Sequence, residues 1–137
     1  MVMDCIFCKI VAGIIPSKKL YETSRSLAFL DAFPLARGHT LVIPKSHHVK
    51  VQELSQEDNA DLFAAVRTVI GMVERMCPSS LVAVHNGKES GQEVPHVHVH
   101  IIPRKQGDGA GPVHSMFGTR PKLADSDFQE ILEQLKG

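Results

Sequence analysis

The chain of 137 residues has no dense run of lysine or arginine, and its 15 basic and 15 acidic residues leave a formal net charge of zero. Electrostatics therefore give no support for a nucleic-acid partner or an anionic membrane surface. No apolar run is long enough to suggest a transmembrane helix. The fairly apolar start, "MVMDCIFCKIVAGIIP", is interrupted by Asp4 and Lys9 and has no basic leader before it, so no signal peptide is expected. Cysteine is scarce. Three residues without an export signal predict no disulfide framework and a reducing, cytoplasmic compartment. Internal repeats and low-complexity segments are also missing. What remains is a chain of ordinary apolar and charged content, long enough for one domain over residues 1–137 with a core of normal size.

The pattern along the chain predicts an α+β fold: an antiparallel sheet with one long helix and a C-terminal helix. Residues 4–13 form a short helical or turn-like lead-in. Residues 19–23 and 26–33 are two strands joined by a turn, and "GHTLVIP" (38–44) is a third. The long helix begins at Ser55, with Asp58 three residues on in a capping-box pattern, and ends at Pro78. Leu62, Val66, Val69, Val73 and Met76 would form its buried face. Residues 79–87 are a strand running into a turn, 87–94 a loop, and 96–103 the last core strand. The domain core then spans about 4–106. A glycine-rich segment follows from 104 to 118, suited to a surface position ordered by a partner subunit. The terminal helix covers 125–136, capped by Asp125 or Ser126, with Phe128, Ile131, Leu132 and Leu135 as its apolar side.

The stretch "EVPHVHVHIIP" (93–103) places His96, His98 and His100 at alternate positions. On a strand they share one face, with Val97, Val99 and Ile101 on the other. Neighbouring rings would stand roughly 6.5–7 Å apart. The apolar face packs on the core, and the histidine face must look at water, a ligand or a metal. Three readings stand: a solvated strand with incidental histidines, a metal site made by the row alone, and phosphate chemistry. A straight row converges poorly on a tetrahedral ion. Neutral imidazole, by contrast, is a nucleophile near pH 7 and protonated imidazole a donor.

The run His-Val-His-Val-His-Ile-Ile resembles the signature of the histidine-triad family. "SGQEVPHVHVHIIPR" (90–104) resembles that family's Gly-Gln lead into the triad, and residues 6–47 resemble its N-terminal half. The likeness covers residues 4 to about 106 and points to the small nucleotide-binding and hydrolase branches. It implies cleavage at the α-phosphorus of a nucleoside phosphate through a nucleotidyl-histidine. His98 would be the nucleophile, His100 a phosphate contact, and His39 a support from the neighbouring strand. Gln92 and the backbone N–H groups after Gly91 would hold the phosphate. Asp31 would bind the ribose hydroxyls; taken alone, it would read as a turn residue. Ile6, Phe7 and Ile10, with Ile15 and Phe29, fall where relatives line the base pocket, although such residues are core by default.

Two positions depart from the family pattern. His85, followed by Asn86, stands where many relatives carry Asn or Gln. Glu93 stands where one branch carries a serine thought to assist the leaving group. The resemblance further implies an AMP-type purine nucleotide as substrate and a homodimer. Phosphoramidates and dinucleoside polyphosphates both remain open, with Arg104 and Lys105 tilting toward the latter. A binding module with little turnover is the rival.

Cys5 and Cys8 have C-x-x-C spacing, which supplies half of a tetrahedral zinc site. His47 and His96 are the candidates for the other half. In zinc-bearing relatives a matching Cys, Cys, His, His set closes a structural Zn2+ site. A free thiol pair and a redox dithiol are the alternatives.

Overall fold

The computed structural model describes residues 4–137; residues 1–3, which the expected domain boundary includes, lie outside it. The chain divides into two compact units, one ending at Gln106 and the other spanning Gly107–Gly137. In the first, α1 (Ile6–Val11) leads into β1 (Lys19–Glu22), β2 (Ser26–Leu30) and β3 (Thr40–Pro44). Then come α2 (Gln56–Val73), β4 (Ser79–Ala83) and β5 (Val99–Arg104). All strand pairs are antiparallel, in the order β1-β2-β3-β5-β4. The second unit carries α3 (Asp125–Lys136), with Phe128, Leu132 and Leu135 exposed.

Period-two alternation divides the sheet into two buried faces. Ala28, Val42, Val99 and Ile101 point toward Leu62, Ala65, Val66, Val69 and Val73 of α2. Leu27, Phe29, Leu41 and Ile43 point the other way, toward Cys5, Phe7, Cys8 and Ile10 of the α1 segment. The short N-terminal helix is thus the lid of the second core.

Helix α2 starts as its sequence predicts, with the Ser55 side chain accepting from the Asp58 N–H. It ends at Val73, earlier than Pro78. Arg75 N–H bonds to Met72 O and Met76 N–H to Val73 O, so the last turn tightens to three-residue spacing. That rotation takes Met76 off the apolar stripe and leaves it exposed. The cap of α3 is Ala124, whose N–H donates to Asp127 Oδ2, and neither Asp125 nor Ser126.

The last core strand also starts later than expected, at Val99. Just before it, His96 N–H bonds to Val94 O and Val97 N–H to His48 O, so residues 96–98 are held outside the sheet ladder. The alternation continues through this segment, but the histidine side is not open to water. His96 is 0% exposed and His98 6%, because the α1 segment covers them.

Candidate functional site

Strand register gathers the site. His100 lies opposite Leu41 on β3 and Ala83 on β4. Two residues before Leu41 is His39, two after Ala83 is His85, and two before His100 is His98; even spacing keeps them on one face. Phe29 pairs with Leu41, and Asp31 follows it by two. These residues surround a cavity of about 1000 Å³, whose lining includes Ile6, Phe7, Ile10, Asp31, His39, His85, Glu93, His98 and His100. The His98 and His100 ring centroids are 5.0 Å apart, closer than the strand repeat because the rings tilt edge to face. Phe7 stacks edge-on against His98 at 5.0 Å, and His85 against His100 at 5.5 Å.

Backbone groups set the tautomer of each ring. His98 Nδ1 donates to the His96 carbonyl at 2.7 Å, which leaves the lone pair on Nε2. Leu35 N–H donates to His39 Nδ1 at 3.0 Å, so a neutral His39 carries its proton on Nε2. That proton is donated to His100 Nδ1, again at 3.0 Å, which leaves His100 with Nε2–H. Burial keeps the rings neutral. It pushes His39 and His98 below the usual histidine value, and His100 down to about 4, helped there by the neighbouring His98 and His39. Among these three rings, the cavity side offers a free imidazole lone pair on His98 beside an N–H donor on His100.

Asp31 is half committed. Its Oδ1 accepts from Phe33 N–H, an Asx turn, and its Oδ2 lies 3.5 Å from His39 Nε2. Because His39 is neutral, that contact is not an ion pair. Asp31, His39 and His100 have donor atoms close enough for an ion. However, the Leu35 N–H occupies the His39 lone pair, so in its neutral form this ring has no electron pair to give from Nε2.

The Cys5, Cys8, His47 and His96 group has the opposite chemistry. His96 Nε2 donates to Pro44 O at 2.8 Å, so its Nδ1 lone pair faces the sulfurs. Cys5 Sγ is 3.4 Å and Cys8 Sγ 3.7 Å from that nitrogen, and Cys8 Sγ is 3.3 Å from His47 Nδ1. The two Nδ1 atoms are 3.3 Å apart. Zinc bonds of about 2.3 Å to sulfur and 2.0–2.1 Å to nitrogen give tetrahedral edges of about 3.5 Å for S···N and 3.3 Å for N···N. The four residues can hold a metal ion at that spacing. A cleft of about 200 Å³ lined by Cys8, Val11, Ala12, Lys45, Ser46 and His47 gives it a way in.

Gln92 is placed differently from the other candidates. Its Nε2 donates to Val49 O and Val94 O, and its Oε1 accepts from Gly87 N–H. The side chain is spent on pinning the 87–94 loop and does not line the cavity. Arg104 and Lys105 are also outside the lining. Arg104 pairs with Ser79, four residues along β5 from His100. Two contributors escaped sequence reasoning. Lys18 lines the cavity with no motif around it, and the Leu35 N–H has no side-chain signature at all.

Residues 12–107 match the HIT domain. Over 136 residues the chain is 43% identical to the adenosine 5'-monophosphoramidase hnt1 of Schizosaccharomyces pombe, covering 98% of this chain and 100% of that one. It superposes on the crystal structure of a HIT family protein from Bacillus subtilis with a TM-score of 0.86 at 40% identity, covering 97% and 95% of the two chains. A histidine triad nucleotide-binding protein from Candida albicans gives a TM-score of 0.82 at 34% identity, with the same coverage.

Proposed function

Given that the chain belongs to the HIT domain family, we propose that it is a nucleotide hydrolase or transferase acting at the α-phosphate of an adenosine phosphoramidate or a related AMP conjugate. The observation that carries this is the His98 tautomer: Nδ1–H is tied to the His96 carbonyl, and the ring lines the cavity with Nε2 unprotonated. The Nε2 electron pair attacks the α-phosphorus. The bond from phosphorus to the leaving group breaks, its electron pair departs with the amine, and the amine takes up a proton from solvent. Nucleotidyl-His98 is then attacked by water. The N–P bond breaks, its pair returns to Nε2, and AMP is released as the water proton passes to solvent. His100 Nε2–H donates to a phosphoryl oxygen as charge builds on it, a contribution of order 10²–10³ in rate for a well-placed donor. His39 holds that donor in place. Asp31 accepts from the ribose hydroxyls, and Ile6, Phe7 and Ile10 pack on the purine.

Cys5, Cys8, His47 and His96 would hold Zn2+ as a structural ion. It would tie the α1 segment to the loop after β3 and fix His96, whose carbonyl orients His98. Among the described residues β4 is an edge strand, with Leu81 and Val82 exposed, which supports a homodimer formed by edge pairing. Zero net charge speaks against nucleic acid as a partner. No helix among the described residues is long and apolar enough to cross a membrane. Free cysteines support a reducing, cytoplasmic setting.

The test is intact-protein mass spectrometry after mixing with a slow adenosine phosphoramidate and quenching at neutral or alkaline pH. The expected result is a mass gain of one AMP, mapped to His98 and missing in His98→Ala. No adduct and no released AMP, with nucleotide still bound by calorimetry, would favour a binding module instead.

A further inference from the structure

Charge around the cavity is one-sided. Among the described residues, the lining contains two carboxylates, Asp31 and Glu93, against a single lysine, Lys18, and no arginine. Counting the carboxylates and the lysine alone, the lining carries one net negative charge. Arg104 and Lys105, the cations that could have met extra phosphates, lie elsewhere. Asp31 is occupied by the Phe33 N–H and faces His39. Glu93 is exposed and lines the cavity, and no hydrogen bond or ion pair among the described residues engages its carboxylate.

Glu93 is also held in place. On one side, the Gln92 amide makes three hydrogen bonds across the loop. On the other, Val94 packs against the core beneath α1. Gly91 adopts φ +104°, and a side chain there would meet the His85 ring at 3.4 Å. The carboxylate is thus presented by a fixed backbone, on the same β4–β5 connection that carries His85. It lines the same cavity as His98 and His100.

We infer that Glu93 makes the site choose its leaving group by charge, favouring an amine that bears a distal ammonium over one that bears an anion. This rests on the nucleotidyl-transfer reading above and narrows it. Polyphosphate leaving groups, with several negative charges, fall on the disfavoured side, and cationic amines of the lysine or diamine type on the favoured side.

The experiment uses three adenosine 5'-phosphoramidates whose alkylamine leaving groups have equal length and end in an ammonium, a methyl or a carboxylate group. kcat/KM is measured for the wild type, Glu93→Gln and the control Glu89→Gln, an exposed carboxylate on the same loop. The wild type should favour the ammonium substrate over the carboxylate one by about tenfold or more, the scale of a solvent-screened charge contact. Glu93→Gln should erase most of that ratio, and Glu89→Gln should keep it. An unchanged ratio in Glu93→Gln, equal loss in both variants, or no charge preference in a wild type that cleaves the methyl substrate would overturn this inference alone. Failure of the wild type to release AMP from any of the three would overturn the nucleotidyl-transfer reading and this inference together.

Discussion

His39→Phe removes the donor that fixes His100. In the wild type, the Leu35 N–H enters the His39 ring at Nδ1, and the proton on Nε2 meets His100 Nδ1, both at 3.0 Å. A phenyl ring fills the space and makes neither bond. Leu35 is exposed, so its N–H finds water. His100 Nδ1 is left without its partner in a half-buried position, which costs about 1–3 kcal/mol. For a chain of this size that is a drop in Tm of about 4–12 °C. The chemical cost is separate. His100 becomes free to carry its proton on Nδ1, which turns an acceptor toward the phosphate where a donor is needed. Complete loss of such a donor costs about 10²–10³ in rate, which sets the ceiling, and a mixed tautomer population lowers the rate in proportion to the fraction of His100 that carries its proton on Nδ1. His39→Gln is the matching control, since its amide can accept from Leu35 and donate to His100. Single-turnover AMP release gives the rate, urea unfolding the stability, and 15N shifts of the His100 ring the tautomer. Wild-type turnover in His39→Phe, or Nε2–H retained on His100 in that variant, would refute the reasoning.

The metal cluster predicts one zinc per chain in the wild type by elemental mass spectrometry. Cys8→Ser should lose it and melt at a lower temperature; wild-type protein that takes up no zinc at neutral pH would count against the site. Stability should also depend on pH. In the metal-free protein, His96 and His100 are held neutral by burial, with values of about 4 against 6.5 when unfolded. Between those values the unfolded chain binds more protons, so stability is complete above about pH 6.5 and falls as the pH drops toward about 4. The loss is at most about 3 kcal/mol per ring. Urea midpoints at pH 4.5, 5.5 and 7.5 measure it, and a flat profile would show that the rings are hydrated.

Local pattern determined much of this protein. Alternating valines and histidines assigned the residues from 96 to 101 to opposite faces, and that parity survives where the ladder does not. Ser55 caps α2 because its oxygen needs only the N–H three residues on, and Leu62, Val66, Val69 and Val73 face the core because 3.6-residue periodicity puts them there. Tertiary structure decided the rest. Cys5 and Cys8 acquire His47 and His96 only when α1 is laid over the sheet. Gln92 closes its own loop because the carbonyls of Val49 and Val94 are within reach. Each ring's chemistry is set by a backbone group that no motif encodes: the Pro44 and His96 carbonyls and the Leu35 N–H. The physical reason is that periodicity and capping act over a few residues and are written in side-chain type. A tautomer, by contrast, is chosen by whichever donor or acceptor the fold brings to about 3 Å, and every residue's backbone offers the same ones.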